Sequence, residues 1–291
     1  MCDEITQKEA EEFLQRRGLS RREFTKAGAA LTMAAMLPAV ANAVEVVEQD
    51  VMVPTPDGEA DAYFVHPVTG KHAAVIVWPD IKGIRPAFRA MGKRLAESGY
   101  SVLVVNPYYR THKGPIISEG EYFKDPAVRE RLMPHARSLS PDTCVTDGRA
   151  FVSYLDQQAA VDTGRKVGVT GYCMTGSYTM RLAAAMPDRI GAGGSFHGGG
   201  LATDRPNSPH LLAPQMKAAF LIAIADNDDQ RNPEEKVLLR KAFDDAGVEA
   251  EIEVYEGAQH GWCPPDSFVY DEALAERAWA RLLVLFEKAL A

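Results

Sequence analysis

The sequence predicts an α/β protein whose central sheet is mostly parallel, with helices on both faces. Three observations lead there. Ala73–Trp78, Ser101–Val105 and Ala218–Ala225 are near-continuous apolar runs, the pattern of strands covered on both sides. Helix-patterned segments separate such runs as far as the C-terminus, and this alternation builds a parallel sheet through right-handed crossovers. No internal repeat, linker or low-complexity tract divides the chain, so one domain is expected.

In order, Val44–Val53 and Ala60–His66 are β-rich runs around Pro54-Thr55-Pro56-Asp57-Gly58, an antiparallel pair joined by a turn. Ala73–Trp78 follows as a buried strand. Pro86–Ser98 carries Phe88, Met91 and Leu95 on one face and ends at Gly99, so it is a helix. Ser101–Val105 is the next strand. Asn106–Ser140 is long, polar and aromatic, which suits an active-site cover better than a linker. Asp142–Gln158 is helical. Val167–Thr170 is a strand, Tyr178–Met186 a helix and Ile190–Phe196 a strand. A loop, His197-Gly198-Gly199-Gly200, then opens a Pro-rich passage to Pro214. After Ala218–Ala225, Pro233–Ala246 is a helix stopped by Gly247. Glu251–Tyr255 is the last strand and Tyr270–Leu290 the closing helix.

The chain has 291 residues, 46% hydrophobic and 25% charged, and is long enough to bury a core without disulfide staples. Its formal net charge of −8 argues against nucleic acid as a partner, since phosphate binding needs a basic surface. An anionic small molecule would need only a local cation. Cys2, Cys144, Cys173 and Cys263 show no zinc-site spacing, and no pattern points to a nucleotide or metal cofactor.

Ser20-Arg21-Arg22-Glu23-Phe24-Thr25-Lys26 resembles the twin-arginine export motif, with Thr25 where leucine is usual. The uncharged stretch Ala27–Ala43 follows and closes on Ala41-Asn42-Ala43, an A-x-A cleavage pattern. It is short for a permanent membrane span and contains Pro38. Residues 1–43 are therefore expected to be a signal peptide taken up by the twin-arginine export machinery. That leaves a mature chain of residues 44–291, periplasmic or secreted, with no stable membrane span. The competing reading is an amphipathic N-terminal helix, with the chain cytoplasmic if the signal is unused. Export would place Cys144 and Cys263 in an oxidising space where they could pair.

The clearest chemistry lies in Lys166–Ser177, KVGVTGYCMTGS. A short strand, a glycine-flanked turn and a helix is the context of a nucleophile elbow, here with Cys173 at the nucleophile position. The glycines let the turn strain the nucleophile and leave room beside it. The backbone N–H of Met174 would face a developing oxyanion from a helix N-terminus. The plain alternative is a buried structural cysteine.

A thiol nucleophile needs a base, and the base an orienting acid. Elbow enzymes carry them in the order nucleophile, acid, histidine. Asp226-Asn227-Asp228-Asp229 follows a strand, where sheet enzymes place catalytic groups. Asp228 is the first choice, Asp229 the second and Asp226 the third. His260 follows the last strand through Gly257-Ala258-Gln259 and is the expected base. His197 also sits in a glycine loop after a strand, but it precedes the acids.

Cys173, Asp228 and His260 together resemble the dienelactone hydrolase family of the α/β-hydrolase fold. The most specific pieces are Gly171-Tyr172-Cys173-Met174, Ser195-Phe196-His197-Gly198-Gly199 and Gly257-Ala258-Gln259-His260-Gly261. The resemblance covers roughly residues 46–290. One departure is Thr175, where the family usually has glycine; a larger, β-branched residue implies a tighter or re-aimed elbow. The resemblance implies an acid near the resting cysteine, here Asp80. It also makes the Ile81 N–H a second oxyanion donor beside Met174. It implies a carboxylate-binding arginine at Arg110. The second such arginine is missing, since the stretch after the base is Trp262-Cys263-Pro264-Pro265. Arg85 is a substitute only if it leaves the surface, where such a residue normally lies.

The activity implied is cleavage of a small-molecule ester or lactone through a thioester on Cys173, with no cofactor. Two other classes compete. One is a thiol amidase or peptidase on the same triad, disfavoured because amides leave poorly. The other is a non-enzymatic exported binding protein that keeps the pocket.

Overall fold

The computed structural model describes residues 37–291 except 119, 120 and 122. The twin-arginine motif and most of the apolar run behind it lie outside the described residues. Eight strands make one sheet: β1 (Val46–Thr55), β2 (Gly58–Pro67), β3 (Ala74–Trp78), β4 (Ser101–Val105), β5 (Val167–Tyr172), β6 (Ile190–Phe196), β7 (Ala219–Ala225) and β8 (Ala250–Tyr255). Their order is β1-β2-β4-β3-β5-β6-β7-β8. β2 pairs antiparallel with β1 and β4, and every other neighbouring pair is parallel. This is an α/β-hydrolase-type sheet.

The pleat sorts side chains between two cores. Ala74, Ile76 and Trp78 of β3 point to one face. There they meet α3 (Pro141–Leu155), α4 (Gly176–Ala185) and α6 (Glu234–Ala246) through Phe151, Leu182 and Phe243. Val75 and Val77 point to the other face. They meet α1 (Pro86–Glu97) and α7 (Glu272–Ala289) through Phe88, Leu95, Leu282 and Phe286. Period-2 alternation in a strand buried on both sides produces this division. Cys144 belongs to the first core and Cys263 to the second, and both are buried free thiols. The pairing expected as possible from their redox setting is therefore absent.

Two elements differ from the sequence expectation. Within 106–140 lies a helix, α2 (Pro126–Arg137), capped by Asp125, whose side chain accepts the Ala127 N–H at 3.0 Å. Pro134 inside it and its weak apolar pattern hide it from periodicity. Asp226–Asp229, placed in no helix or strand by the sequence, is the first turn of a short helix, α5 (Asp226–Arg231). Among the described residues no helix is long and apolar enough to cross a membrane.

Candidate active site

β5 ends at Tyr172, and a 3-10 turn, Cys173–Thr175, passes directly into α4. Cys173 sits at φ +58, a left-handed conformation that costs a non-glycine residue about 1–3 kcal/mol. The flanking glycines make the turn possible. A Cβ on Gly171 would lie 2.2 Å from the Thr175 carbonyl oxygen, and one on Gly176 would lie 2.5 Å from Ser195 Oγ. The fully buried Thr175 replaces missing backbone pairing with its hydroxyl. Its Oγ1 accepts the Tyr172 N–H at 2.9 Å and lies 3.0 Å from each of the Trp78, Pro79 and Tyr172 carbonyl oxygens. The bulk of this side chain thus bonds the elbow to the end of β3.

The ends of β5, β7 and β8 bring three side chains into line. Cys173 Sγ lies 3.1 Å from His260 Nε2, and His260 Nδ1 lies 2.6 Å from Asp228 Oδ2. Asp229 instead pairs with Lys236 at 2.5 Å. Asp226 accepts the Gly257 N–H at 2.9 Å, and Asn227 accepts the His260 N–H at 2.9 Å. Three consecutive side chains of α5 therefore hold the histidine loop. Asn227 was not singled out by the sequence, because an amide beside three acids carries no separate signal.

Burial opposes a charge on His260, but the Cys173 sulfur and then the Asp228 carboxylate outweigh it. They hold the imidazole well above its ordinary pKa. His197 is the opposite case. It is fully buried with φ +41, and among the described residues neither ring nitrogen has a hydrogen-bond partner. Burial, with His260 adding, pushes its pKa well down, so it is neutral. Its ring stands edge-on to His260, with centroids 5.0 Å apart.

Cys173, His260, Asp228, Ile81, Met174 and Asp80 line one cavity of about 790 Å³. Described residues within 106–140 cover it: Phe123 and Met133 reach the cavity, and Tyr108, Ile116 and Leu132 form a small core that packs on Ile81 and Met174. The Tyr108 hydroxyl donates to the Ile81 carbonyl at 2.7 Å.

Three charged residues singled out by the sequence are engaged by partners of opposite charge. Asp80 lines the cavity, but its carboxylate accepts two Arg85 N–H groups, at 2.7 and 2.9 Å, and the Lys82 N–H at 2.9 Å. It does not bond the cysteine sulfur. Arg85, expected at the surface, is buried because it also pairs with Asp266 at 2.6 Å. Arg110, expected as a substrate clamp, lies outside the cavity and pairs with Asp147 and Asp57, each at 2.6 Å. Asp147 is buried and needs that counter-charge. Among the described residues no group of three or more His, Cys, Asp or Glu is placed to hold a metal ion.

A family model described as the dienelactone hydrolase family matches residues 60–290. The carboxymethylenebutenolidase of Rhodococcus opacus is 26% identical over 227 residues, 76% of this chain and 83% of that protein. A Bradyrhizobium sp. protein named "Probable 2-oxo-3-(5-oxofuran-2-ylidene)propanoate lactonase" is 27% identical over 226 residues, 77% of this chain and 87% of its own length. The crystal structure of dienelactone hydrolase from Anabaena variabilis shares the fold with a TM-score of 0.60 at 14% identity, covering 84% of this chain and 99% of that one. A dienelactone hydrolase-like promiscuous phosphotriesterase from metagenomic libraries matches with a TM-score of 0.68 at 18% identity, over the same shares.

Proposed function

The chain belongs to the dienelactone hydrolase family, and from that premise we propose that it cleaves esters or lactones with Cys173 as nucleophile, His260 as base and Asp228 as orienting acid. The observation that carries this reading is the continuous contact Sγ to Nε2 at 3.1 Å and Nδ1 to Oδ2 at 2.6 Å. The names of the two curated relatives, a butenolidase and a lactonase, support the substrate class.

His260 takes the thiol proton, and the sulfur attacks the carbonyl carbon. The new C–S bond forms a tetrahedral oxyanion, held by the N–H groups of Ile81 and Met174. A donor of this kind typically contributes about 3 kcal/mol. The C–O bond to the alcohol then breaks, and His260 returns the proton to the leaving oxygen. Water attacks the thioester with its proton passing to His260. The C–S bond breaks, and Cys173 recovers the proton. No cofactor enters the scheme.

The test is hydrolysis of activated small esters and lactones by the chain beside Cys173→Ala, with mass spectrometry of the quenched protein. Cysteine-dependent turnover and an acyl adduct on the Cys173 peptide are expected. Equal turnover in both proteins would overturn the assignment. Export belongs to the same proposal: residues 1–43 act as a twin-arginine signal. Exported protein whose N-terminal sequence begins at Met1 would refute cleavage there.

A further inference from the structure

The cavity is large for a small lactone. Its volume of about 790 Å³ lies in the upper half of the range, about 300–1,000 Å³, that buries drug-sized ligands. Much of the surface it presents is apolar. Phe123 and Met133 face it from the cover, Leu201 from the loop after β6, Ile224 from the end of β7, Leu239 from α6 and Phe268 from the loop before α7. A small, strongly polar substrate would leave most of this surface without contact and contribute little to its own binding.

The charges on the wall are matched internally. Lys82 pairs with Asp266 at 3.0 Å and Lys236 with Asp229 at 2.5 Å. Arg231 lies 3.4 Å from Asp228 and donates to the Asn227 carbonyl at 3.0 Å. Lys124 is also engaged. Arg129 is exposed at the cover, with its guanidinium 5.8 Å over the Phe123 ring. An anion held there would stay in water and gain little. A carboxylate entering the cavity would lose hydration and would have to compete with Asp266, Asp229 and Asp228 for the cations Lys82, Lys236 and Arg231.

We propose that the substrate is an uncharged ester or lactone with a bulky apolar body that fills this wall, and not a small carboxylate-bearing lactone. The inference rests on the ester-hydrolase reading above.

The experiment measures kcat/KM of the full chain, with Cys173→Ala as background. The substrates are the p-nitrophenyl esters of acetate, butyrate and octanoate, and mono-p-nitrophenyl suberate, which matches octanoate in length but ends in a carboxylate. We expect a rise of about tenfold or more from acetate to octanoate, and suberate at least about tenfold below octanoate, the scale on which apolar pockets discriminate. Met133→Trp, which narrows the cavity from the cover, should lower the octanoate-to-acetate ratio several-fold. Cysteine-dependent turnover that favours acetate, or that treats suberate as well as octanoate, overturns this inference and leaves the hydrolase standing. An unchanged ratio in Met133→Trp also overturns it. No turnover of any ester above the Cys173→Ala background removes the hydrolase reading and this inference together.

Discussion

The Thr175 hydroxyl lies 3.0 Å from the carbonyl oxygen of Trp78, 97 residues earlier in the chain. Trp78 closes β3, three residues before Ile81, and Thr175 directly follows Met174. One buried hydroxyl thus ties together the two segments that carry the proposed oxyanion donors. Thr175→Val keeps the shape and removes the hydrogen bonds. It should lower kcat about 10–100-fold with little change in KM, because donors that hold the transition state lose their aim. It should also cost roughly 1–3 kcal/mol in urea unfolding, since buried backbone groups lose their partner. Thr175→Ser should restore most of kcat. A variant that is destabilised but fully active would show that the hydroxyl only holds the fold.

The neighbouring acids are separable by rate. Asp228→Asn should lower kcat about 10³–10⁴-fold, as expected when the partner of a catalytic imidazole is neutralised. Asp229→Asn, which breaks a pair with Lys236, should cost less than about tenfold on the same scale. Single-turnover kinetics of both variants decides the matter, and the reverse ranking would reassign the acid.

The Arg85 network makes a pH prediction. Burial would raise the Asp266 pKa, but Arg85 and then Lys82 outweigh it and hold the carboxyl below its ordinary range. A carboxyl lowered in the folded state contributes stability that is fully present above its unfolded pKa of about 3.9. That stability is lost as pH falls below this value toward the folded pKa. Asp266→Asn should therefore destabilise the protein at pH 7, by about 3–5 kcal/mol if Arg85 is left under-paired. The variant should also lose less stability than the parent between pH 5 and pH 3. Urea midpoints at the three pH values test both statements.

The sheet is largely legible from the chain because burial on both faces writes itself as unbroken apolar runs. Ser101–Val105 and Ile190–Phe196 have the same bounds in sequence and structure. The elbow is legible because its geometry is local, a few residues around Gly171 and Gly176. Helix α2 is not, since Pro134 contradicts its type and Leu132 on its covered face packs in the small core with Tyr108 and Ile116 instead of a main core. The Asp228 and Asp229 alternatives stay open in sequence because neighbouring residues on a helix point about 100° apart, and only the helix orientation selects one. The Arg85–Asp266 pair joins residues 181 positions apart, and no periodicity marks such a meeting. Arg110 was placed by resemblance, which carries a position but not the local carboxylates that claim it.

The bonds from Asp226, Asn227 and Asp228 to the 257–260 loop make Asp228 and His260 one mechanical body. The Thr175 hydroxyl makes the elbow and the β3 end another. β6 lies between the strands that carry them, and the two bodies face each other across the Sγ–Nε2 gap. Reactivity of the cysteine therefore acts as a strain gauge for the sheet. A substitution that shifts β6 sideways would register first as a changed alkylation rate at Cys173, before any loss of global stability.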